Sequence, residues 1–114
     1  MKLEGEGVLL RIFLGELDKS DGRPLYEAIV LAARGAGLAG ATVLRGPMGF
    51  GARSRLHTAK VLRLSEDLPV VIEIVDTKEK IDAFLPKLDT MMGDGLVTTE
   101  RVHVVRYRAS APGA

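Results

Sequence analysis

The chain has 114 residues, 46% of them hydrophobic, and a formal net charge of +1, which suits one domain around one core. Near-neutral charge argues against bulk attraction to nucleic acid or an anionic membrane, and three Phe, two Tyr and no Trp leave little for base stacking. With no cysteine, disulfides, thiolate metal sites and cysteine nucleophiles are excluded.

Gly7–Leu14 is an apolar run of strand length. Gly15–Arg23 is polar and contains Asp-Lys-Ser-Asp-Gly, the composition of a loop. Pro24 suits a first helical turn, and Leu25, Ala28, Ile29, Ala32, Ala33 and Ala36 follow at helical spacing until Gly35 and Gly37 stop the pattern. Ala41–Arg45 predicts a short strand, which runs into a Gly-rich stretch, and Thr58–Leu64 can form its far arm. Ser65–Pro69 predicts a turn. Val70–Val75 alternates, with Val71, Glu73 and Val75 on one face and Val70, Ile72 and Ile74 on the other.

Asp76, with Glu79 three positions on, reads as a capping box. The helix it opens carries Ile81, Phe84, Leu85, Leu88 and Met92 on one stripe, with Pro86 expected to kink or shorten it. Gly93-Asp94-Gly95 is a second glycine turn, Val97–Arg108 predicts a long last strand, and 109–114 a frayed tail. The order is β-α-β-β-α-β, the ferredoxin-like α+β arrangement: a four-stranded antiparallel sheet with two helices on one face. Its other face would expose apolar residues unless covered, and a homo-oligomer with sheet faces inward covers it economically.

Charge is segregated along this frame. Between Arg45 and Ser65 stand five basic residues (Arg45, Arg53, Arg55, Lys60, Arg63) and no acid, whereas Glu66–Glu100 holds nine acids against three lysines. Glycines at 46, 49 and 51 allow close backbone approach, so glycine turn plus guanidiniums suits a phosphate or carboxylate. The competing reading is a solvated hairpin whose charges keep an edge unpaired. Arg106 and Arg108, two apart on a strand, would point to one face about 6.6 Å apart and could bracket neighbouring phosphates. A charged edge strand is the plainer reading of that pair. His57 and His103 lack metal-motif spacing, and Glu73 and Asp94 have no evident acid–base partner. No catalytic constellation and no metal site is expected.

Taken together, Gly49-Phe50-Gly51, His57-Thr58, Val71–Val75, Gly93-Asp94-Gly95 and Val104–Arg108 resemble the P-II signal-transduction superfamily. The segments Arg23–Ile29, Leu38–Val43 and Leu64–Pro69 more closely resemble its P-II-like members grouped as domain of unknown function 190. The likeness spans roughly residues 5–108 of a single 1–114 domain.

The resemblance implies a homotrimer with effector sites in clefts between subunits. A long loop, the T-loop, maps onto 46–69 and reorders with bound ligand to dock on a target protein, in some cases a membrane transporter. It implies ligand contacts from Gly49, Phe50, Gly51 and Arg53, from the phosphate-cradling turn Gly93, Asp94 and Gly95, and from Arg106 and Arg108. Arg53, Arg55 and His57 fall in the partner-binding loop.

Three positions depart from the family pattern. Leu96 stands where a lysine follows the second glycine turn, Ala52-Arg53 stands for Arg-Gln, and no tyrosine lies between Gly46 and Pro69. The expected effector is therefore an adenine nucleotide such as AMP, ADP or a cyclic nucleotide, with no required cofactor. The opening residues carry no basic-then-apolar leader and no apolar run nears the roughly 20 residues of a membrane span, so the expectation is a cytoplasmic, non-enzymatic regulator without membrane insertion. The alternatives are a small trimeric enzyme or metal-handling protein using His57, His103 or Glu73, and a ligand-free interaction module.

Overall fold

A computed structural model describes residues 3–50, 57–58 (as backbone) and 67–109. In chain order the elements are β1 (Gly5–Gly15), β2 (Lys19–Ser20), β3 (Arg23–Pro24), α1 (Leu25–Gly35), β4 (Thr42–Arg45), β5 (Met48–Gly49), β6 (His57–Thr58), β7 (Pro69–Asp76), α2 (Lys78–Met91) and β8 (Leu96–Val104). The main sheet has the order β4-β7-β1-β8 with every neighbouring pair antiparallel. Its four strands and two helices give the ferredoxin-like order, with two-residue pairs β2–β3 and β5–β6 as additions.

The alternation in β7 decides which side is inside. Val70, Ile72 and Ile74 are buried, joined by Leu10, Ile12 and Leu14 of β1, and both helices close over them with Leu25, Ile29 and Ala33 of α1 and Ile81, Phe84 and Leu88 of α2. α1 ends in a Schellman motif: Leu38 N–H donates to Ala33 O (3.1 Å) and Gly37 N–H to Arg34 O (3.1 Å). Gly37 adopts the φ of +78° that this closure needs.

Four expectations are corrected. The stretch read as a loop at 15–23 contains a hairpin, because Asp21 (φ 49°) and Gly22 (φ 79°) form a two-residue turn of the type that matches strand twist. Asp76 does not cap α2. It ends β7, fully buried, and the cap falls to Thr77, whose hydroxyl accepts from Lys80 N–H at 3.3 Å. Pro86 lies inside α2 without shortening it, the helix continuing to Met91. The last strand stops at Val104 rather than Arg108, because its partner β1 begins at Gly5, paired with Val104.

The open face of the sheet has a layered pattern. Register places Leu44, Val71, Phe13 and Leu96 in one row across all four strands. The next row is polar: Thr42, Glu73, Arg11 and Thr98. Arg11 Nε donates to Glu73 at 2.8 Å and Nη1 to Glu100 at 3.0 Å. The Glu73 hydrogen bond is the main reason the guanidinium is held above its ordinary pKa. Leu44 is 48% exposed and Leu96 56%, so the protomer leaves this row open.

Candidate functional site

Two glycine turns lie at one end of the sheet. The first follows β4. Gly46 N–H donates to Pro69 O at 2.8 Å, and a Cβ at either Gly46 or Gly49 would stand 3.0 Å from the Pro69 ring. The backbone therefore folds directly over Pro69, which side chains at those positions would obstruct. Gly49 pairs with His57 in the β5–β6 hairpin, and Phe50 projects with 73% of its surface exposed.

The segment between β4 and β7 is pinned at both ends to the residues after β1. Arg45 pairs with Glu16 at 2.7 Å where the chain leaves. On its return, Glu16 N–H donates to Leu68 O (2.8 Å) and Leu17 N–H to Asp67 Oδ1 (2.7 Å). The Asp67 carboxylate lies so close over Gly15 that a Cβ there would collide with it. Glu16, Asp67 and Pro69 thus form the base of the loop, a role that their sequence neighbourhood does not announce.

The second turn, Gly93-Asp94-Gly95, leads into β8. Gly95 has φ +141°, and a Cβ on it would meet Phe13 O at 3.0 Å and the Met92 methyl. An open cavity of about 600 Å³ adjoins this turn, lined in part by Leu85, Pro86, Met92 and Val97. Leu96, the first residue of β8, lies on the open sheet face in register with Phe13. It extends the apolar row.

β4 and β8 are the two edges of the sheet, so the glycine turns stand three strand spacings apart, about 14 Å. Arg106 and Arg108 are exposed and follow Val104, at the opposite end of the sheet. β1 separates the two ends by roughly 33 Å, at about 3.3 Å per residue. A single protomer therefore does not bring the predicted ligand residues together. Since both arginines lie beyond the last strand, the shared strand face expected for them is not formed.

Of the other predicted residues, Gly51, Arg53 and Arg55 lie outside the described residues, and His57 is described as backbone only. Glu73 is engaged by Arg11. His103 pairs with Glu6 near the start of β1, whereas the backbone of His57 pairs with Gly49 at the far end, so the alternative metal set is dispersed. Among the described residues, no group of three or more His, Cys, Asp or Glu side chains is placed to hold a metal ion, and no helix is long and apolar enough to cross a membrane.

The sheet order and the two helices on one face define a ferredoxin-like α+β protein. The fold is similar to that of CPII, a nitrogen regulatory PII-like protein from Thiomonas intermedia K12 solved bound to ADP, AMP and bicarbonate. That match has a TM-score of 0.61 and 20% identity, covering 92% of each chain. It is also similar to B. subtilis GlnK in its ATP complex (TM-score 0.57, 15% identity, 89% of this chain and 85% of the other). The chain belongs to the DUF190 family, described as Uncharacterized ACR, whose model matches residues 7–104. A UPF0166 protein of Aquifex aeolicus is 40% identical over 97 residues, covering 85% of this chain and 91% of the relative. One from Methanocaldococcus jannaschii is 38% identical over 99 residues, covering 86% and 91%.

Proposed function

We propose that the protein is a non-enzymatic P-II-like regulator that binds an adenine nucleotide in clefts between three copies and signals through the loop 46–69 to a target protein. The observation that carries this reading is the dispersal of the candidate ligand residues. One glycine turn stands at each sheet edge and the arginines stand at the other end, an arrangement that becomes a site only where copies meet. The row Leu44, Val71, Phe13 and Leu96, exposed at its two outer members and half-buried at the inner two, gives the copies an apolar surface to bury. The ligands of CPII, ADP and AMP, supply the ligand class.

In the cleft, the backbone of Gly49–Gly51 and the face of Phe50 hold the base, and Gly93–Gly95 offers N–H groups to phosphate. Arg106 and Arg108 add bidentate donors, with Arg53 a further cation from the loop. Leu96 supplies no charge, which favours AMP or ADP over ATP. Because both ends of the loop are pinned near Gly15–Leu17, a ligand at its base can bias its conformation, and coupling follows to the extent that the ligand prefers one loop state.

Isothermal titration of ADP and AMP tests the reading. Wild-type protein is expected to bind one nucleotide per protomer. Arg106→Ala with Arg108→Ala is expected to weaken binding tenfold or more while leaving the trimer intact, since charge-assisted hydrogen bonds contribute about 1.5–3 kcal/mol each. Unchanged affinity in the double variant overturns the site.

A further inference from the structure

We infer that Tyr107 is a positioning residue that fixes the segment carrying Arg106 and Arg108 to the body of its own protomer. Its consequence for ligand affinity rests on the nucleotide reading above, while its geometry stands without it.

The β1–β8 ladder ends at the Gly5–Val104 pair, where Gly5 has a φ of +104°. Beyond that point Val105 is 84% exposed, and Arg106 and Arg108 are exposed as well. Tyr107, between the two arginines, is less exposed than Val105, at 37%. Its N–H donates to Glu4 Oε2 at 2.9 Å and its hydroxyl to Ala39 O at 3.4 Å. The hydrogen bonds found for 105–109 among the described residues both run through this one residue.

Both anchor points adjoin ordered structure. Glu4 immediately precedes β1. The N–H of Ala39 donates to Asp76 Oδ2 at 2.8 Å, and Asp76 is fully buried at the end of β7. Tyr107 is therefore tied through Ala39 to a buried group, and a segment without strand pairing acquires a fixed start for two guanidiniums. A free tail would have to be ordered when ligand binds, and pre-ordering removes that cost. Tyr107→Phe would keep the ring and lose the bond to Ala39. Glu4→Gln would keep the shape and weaken the charge-assisted acceptor.

The test combines ADP titration with amide hydrogen exchange on Tyr107→Phe, Glu4→Gln, Arg106→Ala/Arg108→Ala, and the triple variant that adds Tyr107→Phe to the arginine pair. Tyr107→Phe is expected to speed exchange at 105–109 and to weaken ADP about two- to threefold, the low end of a hydrogen bond's worth for a contact as long as 3.4 Å. The melting temperature of the unliganded protein and its assembly mass stay unchanged. On the arginine-free background the same substitution is expected to cost nothing further, because it acts through the arginines. Unaltered exchange in both Tyr107→Phe and Glu4→Gln, or a full additive loss of ADP affinity on that background, overturns the assignment. Should wild-type protein bind no ADP, the nucleotide reading fails, and the exchange measurement still decides whether Tyr107 anchors the segment.

Discussion

Asp76 offers a way to measure how firmly the end of the sheet opposite the glycine turns is held. Its side chain is fully buried and accepts two backbone N–H groups, from Ala39 at 2.8 Å and from Thr77 at 2.7 Å. One bond holds the loop after α1; the other stands at the entrance to α2. Truncation to Ala leaves both donors without this acceptor, and hydrogen bonds to a charged group contribute about 1.5–3 kcal/mol each. Allowing for water reaching the vacated space, Asp76→Ala is expected to destabilise by about 3–4 kcal/mol. Asn keeps one carbonyl-type acceptor but turns an NH2 toward the other donor, so Asp76→Asn is expected to lose at least half as much. Urea unfolding followed by circular dichroism, at one fixed protein concentration because assembly adds to apparent stability, would place the Ala midpoint roughly 1.5–2 M below wild type for m near 2 kcal/mol/M. An Ala variant within about 1 kcal/mol of wild type, by that same estimate, would refute the reasoning.

Gly95→Ala introduces a Cβ at φ +141°, 3.0 Å from Phe13 O, and is expected to cost about 1–3 kcal/mol. Calorimetry would show a melting temperature lower by several degrees, and an unchanged value would mean that the turn is not as closely seated on β1 as described. Leu44→Ser with Leu96→Ser removes two half-exposed side chains from the open face, each worth about 1 kcal/mol if fully buried on assembly. Sedimentation equilibrium is expected to show dissociation at concentrations where wild type stays assembled, with far-ultraviolet circular dichroism unchanged because neither residue packs in the helix-covered core. Unaltered assembly would place the subunit contact elsewhere.

Much of the fold was legible because burial follows period. Val70, Ile72 and Ile74 announce an inside face by simple alternation, and Gly37 announces a helix stop because the closure needs positive φ. At the ends of β7 and β8, where the reading failed, a distant partner decided. Asp76 and Thr77 are both competent caps, and only the strand register, which pairs Asp76 with Val8, assigns Asp76 to β7 and leaves the cap to Thr77. Val104–Arg108 alternates like a strand to its end, yet pairing stops where β1 begins.

Of the candidate site, the positions of the two glycine turns were legible in a similar measure. Both glycine turns stand out because close backbone approach demands glycine, at Pro69 for one and at Phe13 O for the other. Tyr107 could not be found in this way: its partners Glu4 and Ala39 lie 103 and 68 residues away, and the bonds use one carboxylate and one backbone carbonyl that no motif marks. The separation of the arginines from the glycine turns was likewise invisible until the strand order was known. That separation turns a list of residues into an argument for a shared site.

Native mass spectrometry of the purified protein with ADP tests this most directly, since one spectrum reports both assembly and ligand count. The expected result is a trimer that takes up one ADP per protomer, with uptake weakened tenfold or more in the Arg106→Ala/Arg108→Ala variant while the trimer persists. A monomer that binds ADP, or a trimer that binds none of ADP, AMP or ATP, would contradict it.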